Sequence, residues 1–303
     1  MSVAEMIPGS PQRADLLQRA VKGRSLWDDA RRRLFANKAA VAGMIVLAVM
    51  VLAAIVGPFL VPFHYDTVTK PDVWVGPGVR GHLLGTDSLG RDLLSRLLAG
   101  LGVSLAIGVV ATSVSLLIGV LWGAVAGYIG GRVDEIMMRV VDTLYSLPFI
   151  FFVILLMVTF GRNIFLIFLA IGAVEWLTMS RIVRGQTLSL KNKEFIEAAR
   201  AAGLGSRQII LKHIVPNLLG PVVVYVTLTI PAIIIAESFL SFLGLGVQPP
   251  LPSWGLMISE AKASMFFSFW LIAIPGTALA VLIFAINLAG DGLHDLLSPE
   301  GRG

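Results

Sequence analysis

The chain has 303 residues, 56% hydrophobic and only 14% charged. An ordinary soluble domain carries about 45–50% apolar and about 25% charged residues, so this balance excludes a soluble globular fold and indicates an integral membrane protein. The net charge of +5 is modest, and the absence of cysteine rules out disulfides, thiolate metal ligands and cysteine nucleophiles.

No apolar h-region precedes the first long apolar run, so no cleaved signal peptide is expected. Ser25-Leu26-Trp27-Asp28 fits a capping box, and Trp27, Ala30 and Leu34 then share a helical face beside Arg31, Arg32 and Arg33. The expectation is an interfacial helix on the cytoplasmic leaflet within an N-terminal segment 1–38, followed by a membrane domain 39–303.

Six stretches reach the roughly 20 apolar residues that span about 30 Å of hydrocarbon. They cover 39–61, 102–128, 136–160, 164–183, 218–240 and 269–289. None alternates as a barrel strand must, and backbone amides in lipid must bond within their own segment, so all six are predicted helices. Lys and Arg concentrate before the first span and in the loop 184–217, which places both termini in the cytoplasm and makes 62–101 and 241–268 extracytoplasmic. The positive charge is thus explained by topology and does not argue for nucleic acid.

In loop 62–101, Thr86 or Asp87 is predicted to cap a short helix carrying an Asp92–Arg96 i,i+4 pair. The second span presents Gly119, Gly123 and Gly127 at four-residue spacing, a face on which a neighbouring helix can pack closely. Pro148, Pro231 and Pro275 are expected to bend their spans. Asp142, Glu175 and Glu237 are the acidic residues within spans, and Glu175, midway along the fourth, is the candidate to line a path.

Loop 184–217 reads as an exposed helix-turn-helix. Asn192 would cap the first helix, Gly203 would end it in a left-handed conformation, and Ser206 would cap a second helix that Pro216 stops or redirects. In loop 241–268, Pro249, Pro250 and Pro252 would stiffen an extended segment and Trp254 would anchor it at the membrane interface.

Glu197-Ala198-Ala199, three residues, Gly203 and then Pro216 resemble the EAA loop of the membrane subunits of ABC-type importers. Gly85 to Arg96, Phe242 to Pro250 with Pro252-Ser253-Trp254-Gly255, and Gly290 to Asp295 are similar to its peptide-transporting branch. Gly23 to Trp27 and Arg181 to Lys191 are similar to the C-type permeases of oligopeptide importers, although His294 stands where arginine is expected. The resemblance runs from about residue 23 onward.

It implies an all-α, six-helix type I importer domain in a bacterial inner membrane, working as a non-enzymatic permease. Expected partners are a second, related permease, two ATP-binding subunits and an extracytoplasmic peptide-binding protein. By this resemblance Glu197, Ala198, Ala199, Gly203 and Pro216 form the coupling loop to an ATP-binding subunit. From the ordered loops predicted above, rather than from the resemblance, Asp87, Arg91, Asp92, Pro249, Pro250 and Trp254 are expected to form an outer gate and part of the docking face for the binding protein.

No cofactor is expected in this chain; ATP and Mg would sit on partner subunits. In agreement, the sequence has no Gly-x-x-x-x-Gly-Lys-[Ser/Thr] with which to cradle phosphate. Dipeptides, glutathione or nickel complexes are alternative cargoes, and a proton-coupled secondary transporter using Glu175 or Asp142 is the alternative class. A membrane-embedded enzyme would need clustered ligands or a nucleophile with its base, and the sequence offers neither.

Overall fold

A computed structural model describes residues 34–161 and 163–297. The expected interfacial helix around Trp27 lies outside the described residues. Long helices dominate: α1 Lys38–Leu60, α2 Leu93–Ile129, α3 Gly131–Tyr145, α4 Phe149–Phe160, α5 Ile164–Leu190, α6 Glu194–Ala201, α7 Ser206–Ile209, α8 Val215–Phe242, α9 Trp254–Glu260 and α10 Trp270–Leu297.

Five of these helical segments are long and apolar enough to cross a membrane alone: α1, α2, α5, α7 running on into α8, and α10. The expected third span differs. It is a bent pair, α3 and α4, meeting at 86°. Pro148 sits at the break as the residue before α4, where it has no amide to continue the α3 ladder. By contrast, α8 and α10 continue through Pro231 and Pro275 as single helices.

The second span also starts earlier than expected, at Leu93, because Asp92 caps it by accepting the Ser95 amide at 2.8 Å. Its 37 residues give α2 a length of about 55 Å, well beyond the hydrocarbon thickness. Helix α2 is the axis of the fold.

Its glycine face lies against α5. A Cβ on Gly119 would come within 2.6 Å of Met179 Cβ, one on Gly123 within 2.4 Å of the Ser180 carbonyl, and one on Gly127 within 2.8 Å of Thr187 Cβ. Gly172 on α5 returns the contact, 2.9 Å from the Ala111 carbonyl. Lipid tails are as apolar as the side chains, so helices in a bilayer gain from close packing rather than from escape from water. On its other sides α2 meets α8 near Gly108 and α1 near Gly57, while α1 meets α10 where Gly43 faces Leu288.

Two groups of loops therefore lie at opposite ends of α2. Residues 191–206 sit by its C-terminus, where Lys191 Nζ donates to the Gly127 carbonyl at 3.1 Å. Residues 61–92 and 243–269 gather at its N-terminus, where the Trp254 indole donates to the Leu97 carbonyl at 2.9 Å.

Gly123→Leu is expected to separate α2 from α5 and sharply lower the yield of folded protein from mild detergent. Gly185→Ala, on the exposed face of α5 with nothing within 4 Å of the added Cβ, should leave yield intact and stabilise by about 0.5–1 kcal/mol. Thermal denaturation of the two purified variants checks both expectations.

Candidate functional site: an exposed elbow and a buried ledge

The elbow, residues 191–206, is built on α6. Lys193 occupies the N-cap position without a side-chain bond, so Asn192 does not cap this helix. Glu194 and Glu197 in its first turn and Arg200 in its last complement the helix dipole instead. At the C-terminus the Gly203 amide bonds to the Arg200 carbonyl and the Leu204 amide to that of Ala199, with Gly203 at φ +81°. Nothing lies within 4 Å of a Cβ there, so conformation rather than space demands glycine.

One face of α6 is inward. Ile196 is fully buried and Ala199 is 6% exposed, packed with Val183, Ile209 and Ile214. Burying an Ile contributes about 1.5–3 kcal/mol, which holds α6 to the body. Arg200 reinforces it, its guanidinium 5.2 Å from the Tyr128 ring of α2 and its Nη2 donating to the Lys191 carbonyl at 3.4 Å. The opposite face exposes Glu194, Phe195, Glu197 and Ala198. Of the two alanines in the motif, Ala198 is therefore outward and Ala199 serves the chain's own packing.

Ser206 begins α7 but does not cap it; Gly205 holds that position without a side-chain bond. Pro216 neither stops nor redirects the helix. Residues Ile210–Ile214 form a π turn that runs directly into α8, with the Val215 amide reaching back to Ile210. The wider turn accommodates a residue without an amide, and Asn217 Nδ2 donates to the His213 carbonyl at 2.6 Å. The helix that begins at Ser206 is consequently continuous with α8.

Between the two ends, α3 is tied to α5 by charge. Arg184 grips Asp134 through two bonds of 2.5 and 2.6 Å, and Arg181 pairs with Asp142 at 2.8 Å while lying 4.3 Å from the Tyr145 ring. Asp142, an in-span acid in the sequence, is thus one half of an exposed ion pair. Glu175 is half-buried on α5 and has no ion-pair partner among the described residues.

At the far end the expected short helix is replaced by a tightly folded ledge. Asp87 accepts the Leu89 and Arg91 amides and pairs with Arg91 at 2.7 Å. Arg96 does not pair with Asp92; it binds Glu260 at the end of α9 at 2.7 Å, and Arg91 binds the same carboxylate at 2.8 Å. Asp92 pairs with His82 at 2.8 Å, and the His82 ring stacks on Phe63. Gly90, at φ +74°, lets the turn press on residue 69, since a Cβ would fall 2.0 Å from the Thr69 carbonyl.

Asp87, Arg91, Asp92 and Arg96 are all buried. They frame the ledge and do not present their charges outward. Trp254 is likewise 1% exposed, held in the core by its bond to Leu97, and so is not an interfacial anchor. Pro249 and Pro250 remain exposed on the rim, while Pro252 is buried. The sequence reading gave Arg96 the wrong partner and missed Glu260, because the two lie 164 residues apart. Among the described residues no group of three or more His, Asp or Glu side chains could hold a metal ion.

Glu260→Ala would leave Arg91 and Arg96 buried with only Asp87 to oppose them, an imbalance worth roughly 3–5 kcal/mol. A large drop in thermal midpoint is expected in detergent. Arg80→Ala, which removes the solvent-exposed partner of Asp72, should cost no more than about 1 kcal/mol.

Comparison with known proteins gives this architecture a family. Residues 115–302 match the profile of the binding-protein-dependent transport system inner membrane component, and 25–73 match the N-terminal TM domain of oligopeptide transport permease C. The oligopeptide transport system permease protein OppC of Escherichia coli K12 is 53% identical over 93% of this chain and 94% of its own length. OppC of Haemophilus influenzae is 52% identical over 93% and 91%. The dipeptide transport system permease DppC of Bacillus subtilis is 43% identical over 92% and 87%. A solved structure of the MetNI methionine ABC transporter in inward-facing form shares the fold, with TM-score 0.55 and 21% identity over 67% of this chain and 96% of that one. The chain belongs to the binding-protein-dependent transport system inner membrane components, within their OppC-like permease branch.

Proposed function

We propose that this chain is one permease subunit of an ATP-driven importer and forms, with a second related permease, the path taken by oligopeptides that an extracytoplasmic binding protein delivers. The elbow and both termini face the cytoplasm, in keeping with the lysines and arginines of segment 1–38 and loop 184–217. The observation that carries this reading is the two-faced elbow: Ile196 and Ala199 lock it to the body, while Glu197 and Ala198 stand free for a partner. Peptide as the cargo rests on likeness to OppC proteins; dipeptides are the nearest alternative, given the DppC relative.

In this mechanism the chain performs no covalent chemistry. It lacks a phosphate-binding loop, so ATP and its Mg are held by two partner subunits, each seated against a permease elbow. Their closure moves α6 as a rigid body. Because α6 is packed on α7, the π turn and α8, and braced to α2 through Tyr128, the displacement reaches the far ledge along helices rather than through a flexible loop. The permease pair then rocks between inward- and outward-facing states, and hydrolysis resets it. In this reading the half-buried Glu175 is the candidate to line the path.

Tagged chain extracted in mild detergent should bring with it one related permease and ATP-binding subunits in stoichiometric amounts; recovery by itself would contradict the assignment. Within that complex, Glu197→Arg and Gly203→Pro should each abolish peptide uptake while membrane insertion persists. Normal uptake in both variants would remove the coupling role from the elbow.

A further inference from the structure

Glu237 is fully buried on α8, with no lysine or arginine between Lys212 and Lys262 in sequence, and it has no ion-pair partner among the described residues. A carboxyl group so placed in a membrane helix is costly unless it organises something. Its partners are hydroxyls. Ser241 Oγ, one turn on, donates to Glu237 Oε1 at 2.6 Å, and Ser238 Oγ lies 3.5 Å from Oε2.

A hydroxyl has one hydrogen to give and two lone pairs with which to accept. With its hydrogen committed to Glu237, Ser241 Oγ is free to accept the Val247 amide at 3.1 Å and the Ser253 hydroxyl at 3.4 Å. Ser253 Oγ in turn accepts the Leu256 amide and caps α9. Several other helical hydroxyls among the described residues turn back on their own helix: Ser113, Thr187 and Thr229 each donate to the carbonyl four residues earlier. Without the Glu237 carboxyl, Ser241 would have the same option, and its oxygen would turn away from Val247.

The segment it holds is set deep. A Cβ on Gly246 would fall 1.9 Å from Ser241 Oγ, and one on Gly255 2.4 Å from Ser238 Cα, so the loop after α8 lies directly on this turn. Val247, 1% exposed, plugs into the core among Ile107, Ile171 and Ile233. From there α9 leads to Glu260 and the buried arginines of the ledge.

We infer that Glu237 is a positioning residue: as a hydrogen-bond acceptor it orients Ser241 and thereby pins Val247 and the start of α9 to the end of α8. The inference concerns placement of this loop and does not depend on what the protein transports.

The natural absence of cysteine makes a single introduced thiol a clean reporter. In the assembled complex, Glu237→Ala should raise N-ethylmaleimide labelling of a Val247→Cys reporter about tenfold, the change expected from losing a hydrogen bond that opposes local opening. Labelling of a Val141→Cys reporter, buried between α3 and α5, should not change. Glu237→Gln, which keeps an acceptor oxygen, should restore protection at 247. Should Glu237→Ala fail to accumulate, Ser241→Ala is expected to expose the same reporter. Unchanged labelling at 247, equal exposure at 141, or failure of Gln to protect would each overturn the inference.

Discussion

The close approach of α2 to α5 is the contact on which the rest of the molecule depends. In lipid there is no hydrophobic force to draw two apolar helices together, so their association must come from dispersion between surfaces that fit. Gly119, Gly123 and Gly127 remove the side chains that would hold the backbones apart, and the carbonyls of α5 fill that space. The result is a stiff pair from Ala111 to Gly127 of α2, with the elbow beside its C-terminal end and the ledge beyond its N-terminal end. A single strut of about 55 Å thus places the elbow and the ledge in fixed relation.

The densest polar cluster is buried within the protein. The ledge matches two arginines with Asp87 and Glu260, so the charges cancel within a few ångströms and each is hydrogen-bonded. Such clusters add little to stability compared with an apolar core of the same shape, but they penalise any arrangement that separates the partners. Here the partners belong to different loops. The cluster therefore registers the end of α9 against the start of α2, while the hydroxyl chain from Glu237 registers the other end of α9 against α8. The short helix is thus fixed at both ends.

What was legible in the sequence was local. Apolar length marked the membrane segments, four-residue spacing marked the glycine face, and Gly203 marked the left-handed turn of the elbow, because each depends on residues within a turn or two. The break in the third span was only half legible: Pro148 was visible, but an 86° bend also depends on Asp134 and Asp142 drawing α3 toward α5. Asp92 was placed in the wrong pair because an i,i+4 spacing says nothing of His82, and Trp254 was assigned to the interface because nothing nearby announced Leu97. Ala198 and Ala199 look identical in a motif. Only the helical phase of α6 against the buried cluster separates the outward residue from the inward one.

That separation offers the most direct test of the elbow as the point where a motor subunit grips the permease. A photo-crosslinking side chain placed at Ala198, which is exposed, and in a second variant at Ala199, which is 6% exposed, would be activated in the purified complex. The account predicts a crosslinked product with an ATP-binding subunit from position 198 and products confined to this chain from position 199. Crosslinks to that subunit from both positions alike, or from neither, would contradict it.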